Sequence, residues 1–294
     1  MKEFTEEEFK QWRIIITDIF KAFHNICQTH NLRYFACGGT AIGAVRHQGI
    51  IPWDDDIDLS MPRPDYDRLV NLCSTIDMGD YELVTPRNTE NYPLPFIKIC
   101  KKNTTLVEEV DTPCILGAFI DIFPLDGTCK DVAEAAKLKR RYERLWNKLE
   151  AISTHNTFGE YISLLFKPHE WGRFAIKTLG FLFRNKMRSI IISSIDNISY
   201  KHPYETAENV IIYSGSYGAR EIMPKTFCEG EDIPMPFEDA VILMPSGYED
   251  YLTRIYGKYM ELPPKDKRVS HHLHALVDLN RRLTKEEAYS LITK

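Results

Sequence analysis

Four carboxylates fall within five positions in the run Pro52-Trp53-Asp54-Asp55-Asp56-Ile57-Asp58-Leu59. Crowded carboxylates repel one another and raise each other's pKa, so the fold must supply a compensating charge. Ile50, Ile51 and Trp53 before the run, with Leu59 and Met61 after it, predict a strand rather than a solvated acidic loop. Side chains alternate along a strand, so Asp54, Asp56 and Asp58 are expected on one face. A divalent cation relieves their conflict. Hard oxygen donors suit Mg²⁺, with Mn²⁺ as the alternative. Carboxylates two apart that hold such an ion against substrate phosphates are a recurring device of phosphoryl transfer. An EF-hand calcium loop is excluded, because its glycine and glutamate positions, counted from Asp54, hold Leu59 and Asp65.

The chain of 294 residues is 44% hydrophobic, enough for a large core and one or two domains. A net charge of −5 gives no overall attraction to nucleic acid, and none is expected as a partner. The acidic start lacks the basic and apolar regions of a signal peptide, and no apolar stretch is long enough to span a bilayer. Seven scattered cysteines without CxxC spacing predict reduced thiols and a cytoplasmic setting rather than a zinc site.

Apolar residues at three- and four-residue spacing from Phe9 to Cys27 predict a core-facing helix over 6–30. A short strand over Arg33–Cys37 leads into Gly38-Gly39-Thr40 and a helix from Ala41 to His47, closed by Gly49 and Pro52. Strands are expected at Phe96–Cys100, Phe119–Phe123, Val210–Tyr213 and Val241–Met244, and helices at 131–155, Tyr248–Tyr256 and 284–294. Thr284 with Glu287 reads as a capping box for the last helix.

Gly38-Gly39-Thr40 stands between strand and helix, where backbone N–H groups approach a phosphate. Strand, Gly-Gly-Thr, helix and a second strand with Asp-x-Asp together resemble the nucleotidyltransferase fold typified by DNA polymerase β. That fold takes a third carboxylate from a later strand. Asp121, framed by four large apolar neighbours, is the candidate, because a buried carboxylate needs a cation or a strong donor. Lys98 is either a phosphate contact or the counter-ion of Asp121. Asp126 reads as more exposed, a turn cap. Lys265, Lys267, Arg268, His271 and His272 form a cationic set able to clamp a pyrophosphate, or a plain solvated patch. Arg46 and His47 end their helix as dipole partners.

Residues Tyr34 through Asp58 closely resemble the LicD family, whose members decorate bacterial surface polysaccharides with phosphocholine, typically from CDP-choline. Fukutin and fukutin-related protein are relatives. The resemblance continues through Met61–Tyr66, Phe119–Asp126 and Tyr256–Met260 to His272. It implies an α+β nucleotidyltransferase-like mixed sheet flanked by helices, with a helical insertion. The expected division is a catalytic core over 1–129, a basic-apolar insertion over 130–205 and a C-terminal part over 206–294 that completes the site. It further implies Mg²⁺ or Mn²⁺ on Asp56, Asp58 and Asp121, a CDP-alcohol donor and a glycan acceptor, with lipid-linked forms included. Gly38, Gly39, Thr40, His47, Trp53, Lys98, Arg268, His271 and His272 are the expected substrate contacts. An aromatic cage for choline would draw on Trp53 and on Tyr213 or Tyr217. Two other functions are weighed: transfer of a nucleoside monophosphate to a small alcohol, and glycan binding without catalysis.

Residues 158–195 interleave Phe166, Trp171, Phe174 and Phe181 with Lys167, Arg173, Lys177 and Arg184. The segment reads as an amphipathic surface for an anionic membrane, at its inner face, or as a helical insert packed on the core with a solvated basic side.

Overall fold

The computed structural model describes residues 4–108, 114–153, 183–269 and 274–292. Helix α1 (Glu6–His30) opens on the Thr5–Glu8 capping box and stops at Asn31, which adopts a left-handed φ of 50°. It buries Trp12, Ile16, Ile19, Phe20 and Phe23 against the sheet, as the spacing predicts.

The main sheet is mixed. Strands β1 (Phe35–Ala36), β2 (Asp58–Pro62), β3 (Tyr81–Val84), β4 (Ile97–Lys101) and β6 (Phe119–Thr128) stand in the order β1-β2-β6-β4-β3. β2 and β6 run parallel, and the other neighbours run antiparallel. The far half of β6 continues the sheet through β7 (Asn209–Ile211) and β8 (Met223–Pro224). Outside it, β5 (Thr105–Val107) pairs with β11 (Leu276–Asp278), and β9 (Ile233–Phe237) forms a hairpin with β10 (Ala240–Met244). With its helices this is an α+β fold.

The first strand is shorter than its sequence suggests. Gly38, at φ +58°, turns the chain directly into α2 (Gly38–His47), so both glycines belong to the first helical turn. Gln48, not Gly49, takes the left-handed position that closes α2. Helix α3 (Arg63–Cys73) is unforeseen. Pro64 sits in its first turn, where a missing N–H costs nothing.

Helices α4 (Val132–Ser153) and α5 (Arg184–Ser199) pack together around Tyr142, Leu149, Ile191 and Ile195. Residues 158–182 of the basic-apolar segment lie outside the described residues. Past Phe183, its exposed N-cap, the remainder belongs to α5, which buries Ile191 and Ile195 and exposes Met187 and Ile190. Among the described residues no helix is long and apolar enough to cross a membrane. Helix α6 (Tyr248–Tyr256) agrees with expectation, and Thr284 and Glu287 cap α7 (Lys285–Ile292) reciprocally. All seven cysteines are free.

Asp126 is corrected: it is fully buried, not a turn cap. Arg63 reaches it with Nε at 2.6 Å and Nη2 at 3.0 Å, and lies over the rings of Tyr66 and Tyr200.

Candidate active site

Regular strand begins only at Asp58, yet the expected alternation of the acidic run holds through the preceding loop. Asp54, Asp56 and Asp58 line a cleft of about 1150 Å³, together with Asp121. Asp55 is buried instead: its carboxylate lies 3.5 Å from His274 Nε2, and its carbonyl accepts the Trp12 indole N–H at 2.7 Å. Trp12 on α1 therefore fixes the loop from behind.

The parallel register of β2 and β6 makes Asp58 and Asp121 direct partners. Side chains of register partners leave a sheet on the same face, so the two carboxylates are delivered side by side. Burial holds the Asp58 carboxyl well above the usual range, reinforced by Asp56, Asp121 and Asp54, while Lys98 opposes the shift. Four carboxylates thus face one cleft. Its oxygen donors suit a hard divalent cation. Among the described residues, no group of three or more His, Cys, Asp or Glu side chains is placed, as it stands, to hold a metal ion.

The glycines act first on these carboxylates. A Cβ on Gly38 would stand 2.7 Å from Asp58 Oδ2, and one on Gly39 would stand 2.5 Å from Asp54 Oδ2. Both glycines line the cleft, but the Gly38 N–H donates to the Tyr251 hydroxyl at 3.0 Å. Thr40 is corrected from a substrate contact to an internal support. It is buried, and its Oγ1 accepts the Asp58 N–H at 2.8 Å.

Lys98 is likewise no cleft residue. Its side chain is 2% exposed, and its Nζ lies 2.7 Å from Asp121 Oδ1 and 3.0 Å from Oδ2, over the Phe119 ring. Burial pulls its pKa down, but Asp121 prevails and the net shift is upward, so the ammonium stays charged. Of the two roles weighed for Lys98, the counter-ion is the one observed.

Next to Asp54, Trp53 also lines the cleft, with the Arg268 guanidinium 5.6 Å from its ring centroid and the His47 ring 5.9 Å away, nearly perpendicular. Arg268 and His47 thus support Trp53 rather than line the cleft. His47 Nε2 accepts from Arg46 Nε at 2.9 Å, and burial together with Arg46 and Arg13 lowers its pKa. Arg46 was read as a dipole partner, but it faces the cleft with Lys258 and Lys267. It also ties down the Tyr259 and Glu261 carbonyls. His271 and His272 lie outside the described residues. Tyr213 is buried against Tyr142, hydroxyl to Thr128, and is no cage residue, whereas Tyr217 lines the cleft. Sequence reading missed Tyr251, Tyr256 and Glu221, which line it too. Tyr256 opens one of the segments that carry the resemblance, but nothing local marks Tyr251 or Glu221, which reach the cleft through tertiary packing.

Residues 31–127 match the family model described as LicD/FKTN/FKRP, nucleotidyltransferase domain. The lipopolysaccharide cholinephosphotransferase LicD of Haemophilus influenzae is 28% identical over 93% of this chain and 98% of its own length. The chain carries a LicD-type nucleotidyltransferase domain and is similar along nearly its whole length to a LicD phosphotransferase. The matched segment holds α2, the acidic run and most of β6, so this family's shared part coincides with the carboxylate end of the cleft. Uncharacterised proteins of Rickettsia prowazekii and Rickettsia typhi are 32% and 36% identical over 33% and 21% of the chain, covering 36% and 22% of their own lengths. The chain beyond the matched segment, from Ile212 to Val269, contributes the rest of the cleft lining.

Proposed function

We propose that this LicD-like enzyme transfers phosphocholine from CDP-choline to a hydroxyl of a cell-surface glycan, as lipopolysaccharide or a lipid-linked precursor, and releases CMP. The observation that carries this reading is the Asp58–Asp121 register beside Asp54 and Asp56, in a chain aligned almost end to end with a lipopolysaccharide cholinephosphotransferase. The match of residues 31–127 to a nucleotidyltransferase domain model supports reading the sheet as such a fold turned to this purpose.

The acceptor oxygen bonds to the phosphorus that carries choline, and the bridging oxygen departs with CMP. Asp56, Asp58 and Asp121 would hold Mg²⁺ or Mn²⁺, which supplies charge neutralisation at the phosphates when bound. Arg46, Lys258 and Lys267 face the same cleft and receive the negative charge of the nucleotide. Asp121, kept beside the charged Lys98, serves as a ligand or takes the proton of the acceptor hydroxyl. Catalysis is then positioning and electrostatics. This reading puts the reaction at the cytoplasmic side of the membrane.

Purified protein, labelled CDP-choline and the glycan acceptor test this directly. Labelled acceptor and CMP are expected with Mg²⁺ and not with chelator. Transfer of nucleoside monophosphate from a nucleoside triphosphate, without CMP release from CDP-choline, would replace this reading by the nucleotidyltransferase one.

A further inference from the structure

We propose that the corner of the cleft formed by Tyr217, Tyr256 and Glu221 binds the quaternary ammonium of the transferred alcohol. The proposal rests on the phosphocholine reading above and assigns its headgroup a place.

The two tyrosines make a rigid angle. Their ring centroids are 5.0 Å apart with planes at 71°, and their hydroxyls are bonded at 3.0 Å. Glu221 lies at the base, 3% exposed yet lining the cleft. It reaches that place because residue 215 is glycine: a Cβ there would lie 2.2 Å from Glu221 Oε1. The same oxygen accepts the Tyr217 N–H at 3.2 Å and so sets the angle of that tyrosine.

Glu221 carries a burial cost that its neighbours offset in part. Burial raises its pKa against the Tyr217 N–H, Lys139 and Arg220. Lys139 spends its ammonium on the carbonyls of Tyr213 and Gly215, and on Glu143 at 3.3 Å. Arg220 is anchored to the Ile255 carbonyl and already approaches the Tyr217 ring at 5.6 Å. The ring is thus presented to cations, and a second one entering the corner would meet the buried carboxylate.

The location suits a phosphocholine. Its ammonium is two carbons from the phosphate ester oxygen, so its subsite must adjoin the phosphate-handling carboxylates. Tyr217 and Tyr256 line the same cleft as Asp56, Asp58 and Asp121. A quaternary ammonium donates no hydrogen bond and is held by aromatic faces and a carboxylate, which this corner offers. A polyol would need paired donors and acceptors instead.

Two measurements on the full-length protein test the corner. Saturation-transfer NMR with free choline should show transfer to the methyl groups in the wild type, and little in Tyr217→Leu or Glu221→Gln. In steady-state assays, either variant should raise KM for CDP-choline roughly tenfold or more. CDP, which lacks the alcohol, should inhibit both variants as it inhibits the wild type. Tyr217→Leu leaves Glu221 in place and keeps the test open if the Glu221 variant fails to fold. Loss of CDP and CDP-choline binding in parallel, or unchanged KM and saturation transfer in both variants, would overturn the proposal. Choline binding lost in the variants, without turnover of CDP-choline by the wild type, would uphold the corner and remove the transferase reading.

Discussion

Asp121 on β6 lies between two register partners of opposite character, Asp58 on the parallel strand β2 and Lys98 on the antiparallel strand β4. A ladder of acid, acid and base therefore crosses three neighbouring strands. Lys98 anchors one end through its ion pair, and Asp58 meets the cleft at the other. Thr40 beneath Asp58 and Tyr251 against Gly38 lock the turn that frames this edge.

Replacing Asp58 by Asn should abolish transfer while leaving the fold intact. The change keeps shape and removes one charge from a group already strained by its neighbours. In thermal melts, Mg²⁺ should raise the midpoint of the wild type and leave the variant unmoved, because only ligand bound to the native state stabilises it. An equal Mg²⁺ response in both proteins would place the ion elsewhere.

The supports of Asp58 should be as sensitive as the carboxylate. Gly38→Ala puts a side chain at φ +58° and 2.7 Å from Asp58 Oδ2, so a loss of about 1–2 kcal/mol and of most activity is expected. Thr40→Val removes the acceptor of the Asp58 N–H and should cost about 1–3 kcal/mol, with Thr40→Ser close to wild type. Denaturant melts and CMP release, measured side by side, check both.

Arg63 and Asp126 form a buried pair outside the catalytic cleft, so their removal should read as instability rather than as lost chemistry. Burial lifts the Asp126 carboxyl, and Arg63 opposes that lift. Asp126→Asn should cost about 3–5 kcal/mol, because it leaves the guanidinium buried without its counter-charge. An unchanged denaturation midpoint would contradict this.

The buried Glu221 makes a pH prediction. Its pKa is raised in the folded state, chiefly by burial, so the native protein holds that proton more tightly than the unfolded chain does. Its contribution to stability is present below the unfolded pKa and is lost as pH rises through the folded one. Melts between pH 4 and pH 8 should show a smaller decline in Glu221→Gln than in the wild type, roughly in line with one titrating group.

Local pattern determined a good part of this protein. The apolar spacing of α1, the capping box at Thr284, the strand carrying Asp121 and the alternation of the acidic run are all properties of neighbours in the chain. They are legible because side-chain periodicity acts over a few residues. Tertiary structure alone decided which carboxylates meet. Parallel pairing set Asp58 opposite Asp121, 63 positions apart, and antiparallel pairing gave Lys98 to Asp121 instead of to a phosphate. Burial turned Asp126 from a turn residue into the partner of Arg63, and packing brought Tyr217, Glu221 and Tyr256 to the cleft. Strand register and burial depend on contacts between distant segments, and such contacts leave no mark at the residues that make them.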